Sequence, residues 1–318
     1  MTHKISVIGS VSAAVQGRPY GQVRRGMQNP GRLSLRIGGS GRNLALNFAR
    51  LGAETALVAR VGDDFPGHAA IDELAAAGID TSGIAVDSEK DTPASLEIRN
   101  IVDELEMAFG NEDLLDEFRA DLPEDVRTRL RNADGVCFDA CMPGDRLEQL
   151  TALLDGIPLA LDPVSPEHAE KARPFIGRFQ LITPNREEAE RLTGMDIFSP
   201  EQMEEAARRL AERGVARVFI TIAGAGVFYY ENGRSGIVPA YQPAALNEHG
   251  AGAAFTAAAL LATLDGLDIE ETAARGLAAA AITLESRKEV SDELSAAAVE
   301  RRIAEAAEAA AQAEETKE

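Results

Sequence analysis

The chain has 318 residues, of which 32 are Lys or Arg and 52 are Asp or Glu, a formal charge of −20; hydrophobic residues make up 45% and charged residues 26%. That composition supplies a buried core and excludes a disordered chain, while the acidic balance repels phosphodiester backbones and anionic lipid, so no nucleic acid and no membrane is expected as a partner. The start, MTHKISVIGS, runs from one Lys into a β-rich segment without a cleavage pattern, and no stretch approaches about 18 uninterrupted apolar residues, which predicts a cytoplasmic protein.

Apolar runs of strand length alternate with helix-period segments, the pattern of βαβ units and a mainly parallel sheet. The first strand is predicted over Ile5 to Ile8. Ala13 to Ile37 interrupts the alternation with Gly17, Gly21 and Gly31 and carries a local basic cluster, Arg24, Arg25, Arg32 and Arg36, in an acidic chain. RIGGSGRNLALNFARLG follows, with Gly38, Gly39 and Gly41 in a turn and Asn43 on the first turn of a helix over Arg42 to Leu51. Glycines there let backbone approach a ligand, and an Asn amide donates and accepts at once, as a sugar hydroxyl requires; a tight turn with an Asn cap is the alternative.

A strand over Thr55 to Val61 and a helix over His68 to Ala77 lead to Pro93 to Phe109, extended with a turn near Asp103. Residues 13–37 and 93–109 together predict a small antiparallel β lid over an α/β core of residues 1–12, 38–92 and 110–318. Asn111 to Arg131, rich in acids, reads as surface helices. Strands over Gly135 to Phe138 and Pro158 to Leu161 end near Asp139 and at Asp162; Cys137 and Cys141 are read as reduced thiols near a pocket, and the cysteines and four histidines lack metal-ligand spacing. After a strand over Leu181 to Thr183, Asn185 and Glu188 lie three apart at the start of a helix over Glu187 to Thr193. They suit a hydrated Mg²⁺ beside a triphosphate, or else an exposed capping pair.

A helix over Pro200 to Arg213 and strands over Arg217 to Ile222 and Gly226 to Tyr230 precede LNEHGAGAAF, which places Gly250, Ala251 and Gly252 before an apolar helix over Ala253 to Leu264. Such a turn aims backbone N–H groups at one point, for an anion or for close packing. The Ala/Glu-rich tail from Ser295 to Glu318 predicts a peripheral helix with a frayed end.

GGSGRN with Asn43, VGDDFPG at 61–67, DPVS at 162–165, the Asn185 and Glu188 pair, TIAGAGVFYY at 221–230 and GAG at 250–252 together resemble the PfkB/ribokinase family of carbohydrate and nucleoside kinases. Within it, NPGRLSLRIGGSGRNLALNFARLG, DPVS, TPNREEAERLTG and the late ESRKEVSDELS are most similar to the pseudouridine kinase branch. The resemblance implies a ribokinase-like three-layer α/β core with a β lid and transfer of the ATP γ-phosphate to a sugar hydroxyl, with Mg²⁺ and often a monovalent cation such as K⁺. It assigns Ser12, Ala14, Gly38, Gly39, Asn43 and Asn111 to the sugar or nucleoside side. Asn185, Thr221, Gly224, Gly226 and Asn247 fall on the nucleotide side, and Asn185 and Glu188 hold Mg²⁺ through water. Gly250, Ala251 and Gly252 form the anion hole, and the lid implies a homodimer.

The chain departs from that pattern where the chemistry is concentrated. Ala253 stands where the family places the Asp that accepts the hydroxyl proton. Asn247 and Glu248 replace Asp-Thr, Ala14 replaces a sugar-gripping Asp, Ser12 an Asn, Asn111 the lid Asp and Ala223 the first glycine of T-x-G-x-x-G. The resulting expectation is a kinase fold whose ordinary chemistry is lost or greatly reduced. Two readings stand beside it: an active kinase with a relocated base among Glu248, His249, Asp139 and Asp162, and a nucleoside- or nucleotide-binding regulatory protein.

Overall fold

A computed structural model describes residues 2–315 apart from Asp103, Gln242, Pro243 and Glu248, with side chains described through Glu308. Its strands are β1 (Lys4–Ile8), β2 (Ser12–Pro19), β3 (Gly31–Gly38), β4 (Glu54–Gly62), β5 (Asp80–Asp87), β6 (Ala94–Arg99), β7 (Leu105–Asn111), β8 (Gly135–Asp139), β9 (Leu159–Asp162), β10 (Leu181–Ile182), β11 (Arg217–Ile222), β12 (Gly226–Glu231) and β13 (Arg234–Pro239). Among the described residues nine of them form one sheet in the order β13-β12-β11-β10-β9-β8-β1-β4-β5, parallel from β11 to β5, with β12 and β13 antiparallel at one edge. This is the ribokinase-like three-layer arrangement that the sequence predicts.

Burial on both faces explains why the central strands are short, unbroken apolar runs. In β8, GVCFD, every residue is buried; Val136 and Phe138 enter one core cluster and Cys137 the other, as the period of two requires. The first cluster packs the helices Glu124–Arg131, Gly144–Ala152, Arg186–Thr193 and Pro200–Glu212 on one face; the second packs Ser40–Arg50, Phe65–Ala76, Ala251–Leu264 and Ile269–Leu284 on the other. Phe138 meets Phe179 edge-on at 5.8 Å, and Phe219 meets Phe255 at 5.7 Å, one aromatic pair per face. Among the described residues no helix is long and apolar enough to cross a membrane.

The second sheet has the order β3-β2-β6-β7 and departs from the expected antiparallel lid in one pairing. β2 and β6 run parallel, Ala14 beside Ser95 and Gly17 beside Ile98, because the whole β4 to β5 excursion separates them in sequence. The acid-rich 111–131 stretch also differs from the surface-helix expectation. Asn111 closes β7, and the short helix Asp113–Asp116 and the helix Glu124–Arg131 bury Leu114, Leu115, Val126 and Leu130, so their acids cover an apolar face that no long period announces. Cys137 and Cys141 are both free thiols, and burial pushes both upward.

Arg24, Arg25, Arg32 and Arg36 do not form one patch. Arg32 and Arg36 lie on β3 and share a face by strand alternation, whereas Arg24 and Arg25 sit in the connection from β2, where the Arg24 N–H donates to Asn29 Oδ1 at 2.8 Å.

Candidate functional site

Parallel strands deliver their carboxyl ends to one edge of the sheet, and ligands bind beyond that edge where the strand order reverses. Here β1 lies between β4 and β8, and a cavity of about 520 Å³ opens beyond β9, β10 and β11, lined by Gly39, Asn43, Asp162, Glu188, Ala253 and Glu289 among others.

Gly39 starts the first wall. It caps the helix Ser40–Arg50 at φ 103°, and a Cβ there would lie 2.6 Å from the Ser10 carbonyl, so only glycine fits. Asn43, on the first turn, is buried: its Oδ1 accepts from Arg42 at 2.7 Å and its Nδ2 donates to Glu289 Oε2 at 2.9 Å. Arg42 is itself held by Glu73. The amide is therefore already committed to protein partners at the cavity wall, and neither the expected Asn cap nor a free sugar contact describes it fully.

The second wall is acidic. Asp162 ends β9; its Oδ1 accepts from the Val164 N–H at 3.1 Å and its Oδ2 from Ser40 Oγ at 3.3 Å. Burial, with the negative Asp139 adding to it, pushes Asp162 up to about 6. Val164 itself has φ 69°, a strained state for a β-branched residue worth about 1–3 kcal/mol, at the cavity rim. Asn185 and Glu188 form a reciprocal capping box: Asn185 N–H donates to Glu188 Oε2, Asn185 Nδ2 to Glu188 Oε1, and Glu188 N–H to Asn185 Oδ1, all at 2.8–2.9 Å. Burial first, with Asp162 contributing, pushes Glu188 up to about 7. The functional and the capping readings of this pair thus coincide.

The third wall is the glycine turn. Gly250 caps the helix Ala251–Leu264 at φ 83°, and a Cβ on it would overlap the Glu289 carbonyl. Gly252 lies inside the first turn, not before the helix as expected, with open space beside its Cα. The first N–H groups of a helix have no intrahelical partners, which suits an anion at this position. Ala253 presents a methyl group to the cavity and is 6% exposed.

Of the residues the sequence singled out, Gly39, Asn43, Asp162, Asn185, Glu188, Thr221, His249, Gly250, Gly252 and Ala253 converge here. Ser12, Ala14, Gly38, Asn111, Gly224, Gly226 and the Ala251 side chain do not line this cavity. Gly224 at φ 70° and Gly226 at φ 127° make the β11–β12 turn, whereas Ala223 has no positive φ, so its replacement of a glycine leaves the turn intact. Asn111 Oδ1 accepts from the Asp113 N–H at 3.1 Å and serves a local turn. Asn247 lines a neighbouring cavity, and its Nδ2 donates to the carbonyls of His249 at 3.0 Å and Lys288 at 3.1 Å.

Among the suggested substitute bases, Asp139 is excluded by its bonds. One of its oxygens accepts from Ser10 N–H and Ser10 Oγ, both at 2.7 Å, and the other from the Cys141 N–H at 3.0 Å, so it locks the turn after β1. Glu248 lies outside the described residues. Glu289, which the sequence reading did not mark, lines the cavity together with Ala253; only the close approach of its loop to Gly250 reveals it. Among the described residues no three His, Cys, Asp or Glu side chains gather to hold a metal directly. Two buried carboxylates held above their ordinary range nonetheless fit a hydrated cation, whose charge would offset their burial.

The family described as "pfkB family carbohydrate kinase" matches residues 2–296. The pseudouridine kinase of Escherichia coli K12 is 25% identical over 284 residues, covering 88% of this chain and 91% of that protein. A carbohydrate kinase from Agrobacterium tumefaciens superposes with a TM-score of 0.84 at 28% identity, covering 96% of this chain and 97% of that one. The Arabidopsis thaliana ribokinase, solved with ribose and ATP, superposes with a TM-score of 0.82 at 21% identity over 95% and 99% of the two chains, which shows the shared fold.

Proposed function

The chain belongs to the pfkB family of carbohydrate kinases, and on that premise we propose that it resembles a pseudouridine kinase by descent, still binds nucleotide, and has lost or greatly reduced phosphoryl transfer to ordinary nucleosides and sugars. The observation that carries this is Ala253. Phosphoryl transfer to a hydroxyl needs an acceptor for its proton, and a methyl group on the first turn of the helix Ala251–Leu264 provides none. Nucleotide retention is supported by the walls that remain: the helix N-terminus at Gly250, Ala251 and Gly252 for a phosphate, and Asp162 and Glu188 for the hydration shell of Mg²⁺. Mg²⁺ arriving with ATP would neutralise phosphate charge. K⁺ is not expected to be needed, because the Asn247 amide already ties together the carbonyls of His249 and Lys288.

Single-turnover transfer of labelled γ-phosphate from Mg-ATP, with protein in excess and pseudouridine, other nucleosides or ribose as acceptor, tests the reading in K⁺ and in K⁺-free buffer. We expect ATP to be retained and no labelled acceptor in either. Transfer to any acceptor would sink the reading in favour of an active kinase with a relocated base. One contact favours that second reading: Glu289 holds a carboxylate at the cavity wall, fixed by Asn43. If transfer is seen, Glu289→Gln should abolish it. Separate titrations with ATP and with pseudouridine would single out a regulatory sensor, which binds one or both without turnover.

We also propose that residues 13–37 and 93–109 act as a lid over the core and pair two copies. Strand alternation turns Leu33, Leu35, Leu96, Met107 and Phe109 to one lid face, and all five are exposed. A groove of about 800 Å³ at its tip is lined by Val23, Ile98, Ile101 and Met107. Such a face on a chain of this charge is expected to be covered by its own copy. Sedimentation velocity should therefore give a dimer that Leu33→Asp with Phe109→Asp converts to monomer; a wild-type monomer at all concentrations would refute the pairing.

A further inference from the structure

The opposite lid face is as unusual as the apolar one. Between it and the loop ahead of Gly250 lies a cavity of about 940 Å³ lined by Arg18, Arg32, Arg36, Arg99 and Arg287, with Asn247 and His249 at its floor. Five arginines gather there in a chain whose formal charge is −20, and no carboxylate is among the described residues that line it.

The β register shows that this arrangement is built into the lid. Arg18 pairs directly with Arg32, and Arg36 pairs with Ala14, which offers no counter-charge. Like charges directly opposite on one sheet face are destabilising. Arg18 donates to the Ile101 carbonyl at 3.3 Å, and Arg99 is held by Glu97 at 3.2 Å, so these two are oriented by the protein. The side chains of Arg32, Arg36 and Arg287 have no hydrogen bond or ion pair among the described residues. His249 lines both this cavity and the one that contains Ala253, so a ligand seated here lies beside the glycine turn.

Guanidinium groups from β2, β3, β6 and the loop after the helix Ile269–Leu284 line one cavity, and each carries a planar fork of donors of the kind that binds phosphate bidentately. We propose that this cavity binds a phosphomonoester of a sugar or nucleoside, its phosphate on the lid arginines and its body toward Asn43. The inference rests on the kinase-family reading of the cleft as the acceptor side, but it does not require that transfer occurs. It recasts Ala14 as part of an altered specificity, since an acid opposite Arg36 would repel such a ligand.

Calorimetric titration of the full chain with ribose 5-phosphate and uridine 5′-monophosphate, each against ribose and uridine, and with inorganic phosphate, tests it. At least one ester should bind about tenfold or more tighter than its neutral parent, with affinity falling as salt rises. Preference for the ribose ester or for the nucleotide tells which body the site accepts. Arg32→Gln with Arg36→Gln should remove that preference, and a retained Mg-ATP isotherm in the same variant verifies folding. Mg-ATP binding with no preference for esters overturns this inference alone, and ester binding without Mg-ATP binding upholds it while overturning the nucleotide reading. Inorganic phosphate binding as tightly as the esters overturns the assignment of a sugar or nucleoside body, and binding of nothing overturns both readings.

Discussion

Ala253→Asp should produce measurable phosphoryl transfer to pseudouridine where the wild-type chain gives none, yet leave the rate well short of an efficient kinase. A general base contributes about 10²–10⁴-fold, and position 253, on the first turn of the helix Ala251–Leu264 and lining the cavity, is where the added carboxylate can contribute. The helix dipole there favours its ionised form, against the neighbouring carboxylates Asp162 and Glu188. A neutral acceptor remains badly held, because Asn43 is engaged by Arg42 and Glu289 and Ala14, beside Arg36 of the neighbouring cavity, has no polar group to reach it. Misplacement by about 1 Å costs roughly 10²-fold. Adding Ala14→Asp should therefore raise the rate again by about that factor. Single-turnover assays of the two variants decide it. Full kinase turnover from Ala253→Asp alone would refute the role given to Ala14, and no gain from either variant would refute the role given to position 253.

Much of this site is legible without coordinates because parallel α/β topology turns chain position into spatial position. Asp162, Asn185 and the residues around Gly250 each end a strand or open a helix, so the carboxyl edge of the parallel sheet gathers them whatever the details of packing. The capping box of Asn185 and Glu188 is likewise visible as a spacing. What stays hidden depends on register and on loops. Arg18 meets Arg32 only once β2 and β3 pair, and the parallel pairing of β2 with β6 follows from tertiary packing rather than from a hairpin turn. Glu289 reaches the site from a connection after the helix Ile269–Leu284, and no periodicity points from it to Gly250. Asp139 misleads in the opposite way: a carboxylate at a strand end looks available until its three donors are seen.

Glu188 makes the acidic wall testable through stability. Its carboxyl is pushed from 4.5 up to about 7 by burial, so the folded state holds a proton that the unfolded chain has released across that interval. Stability therefore falls as pH rises from about 5 to about 7, and Asp162, pushed up to about 6, acts in the same direction. His168, lowered from 6.5 mainly by burial, acts oppositely, because its contribution is present above its unfolded value and lost as pH falls. Carboxylates held below their ordinary range, such as Asp64 and Asp80, lose their contribution only below about pH 4, outside this window. Comparing Glu188→Gln with wild type isolates the one group, since Gln mimics the protonated acid and can keep the capping box. The variant should be more stable at pH 8 by on the order of 3 kcal/mol and equal to wild type below about pH 5, as read from urea unfolding at each pH. It should also bind Mg-ATP more weakly at pH 8, because the carboxylate whose burial costs stability is the one a hydrated cation would use. A stability difference independent of pH would show that Glu188 acts only as a cap, and an unchanged Mg-ATP affinity would remove it from the nucleotide site.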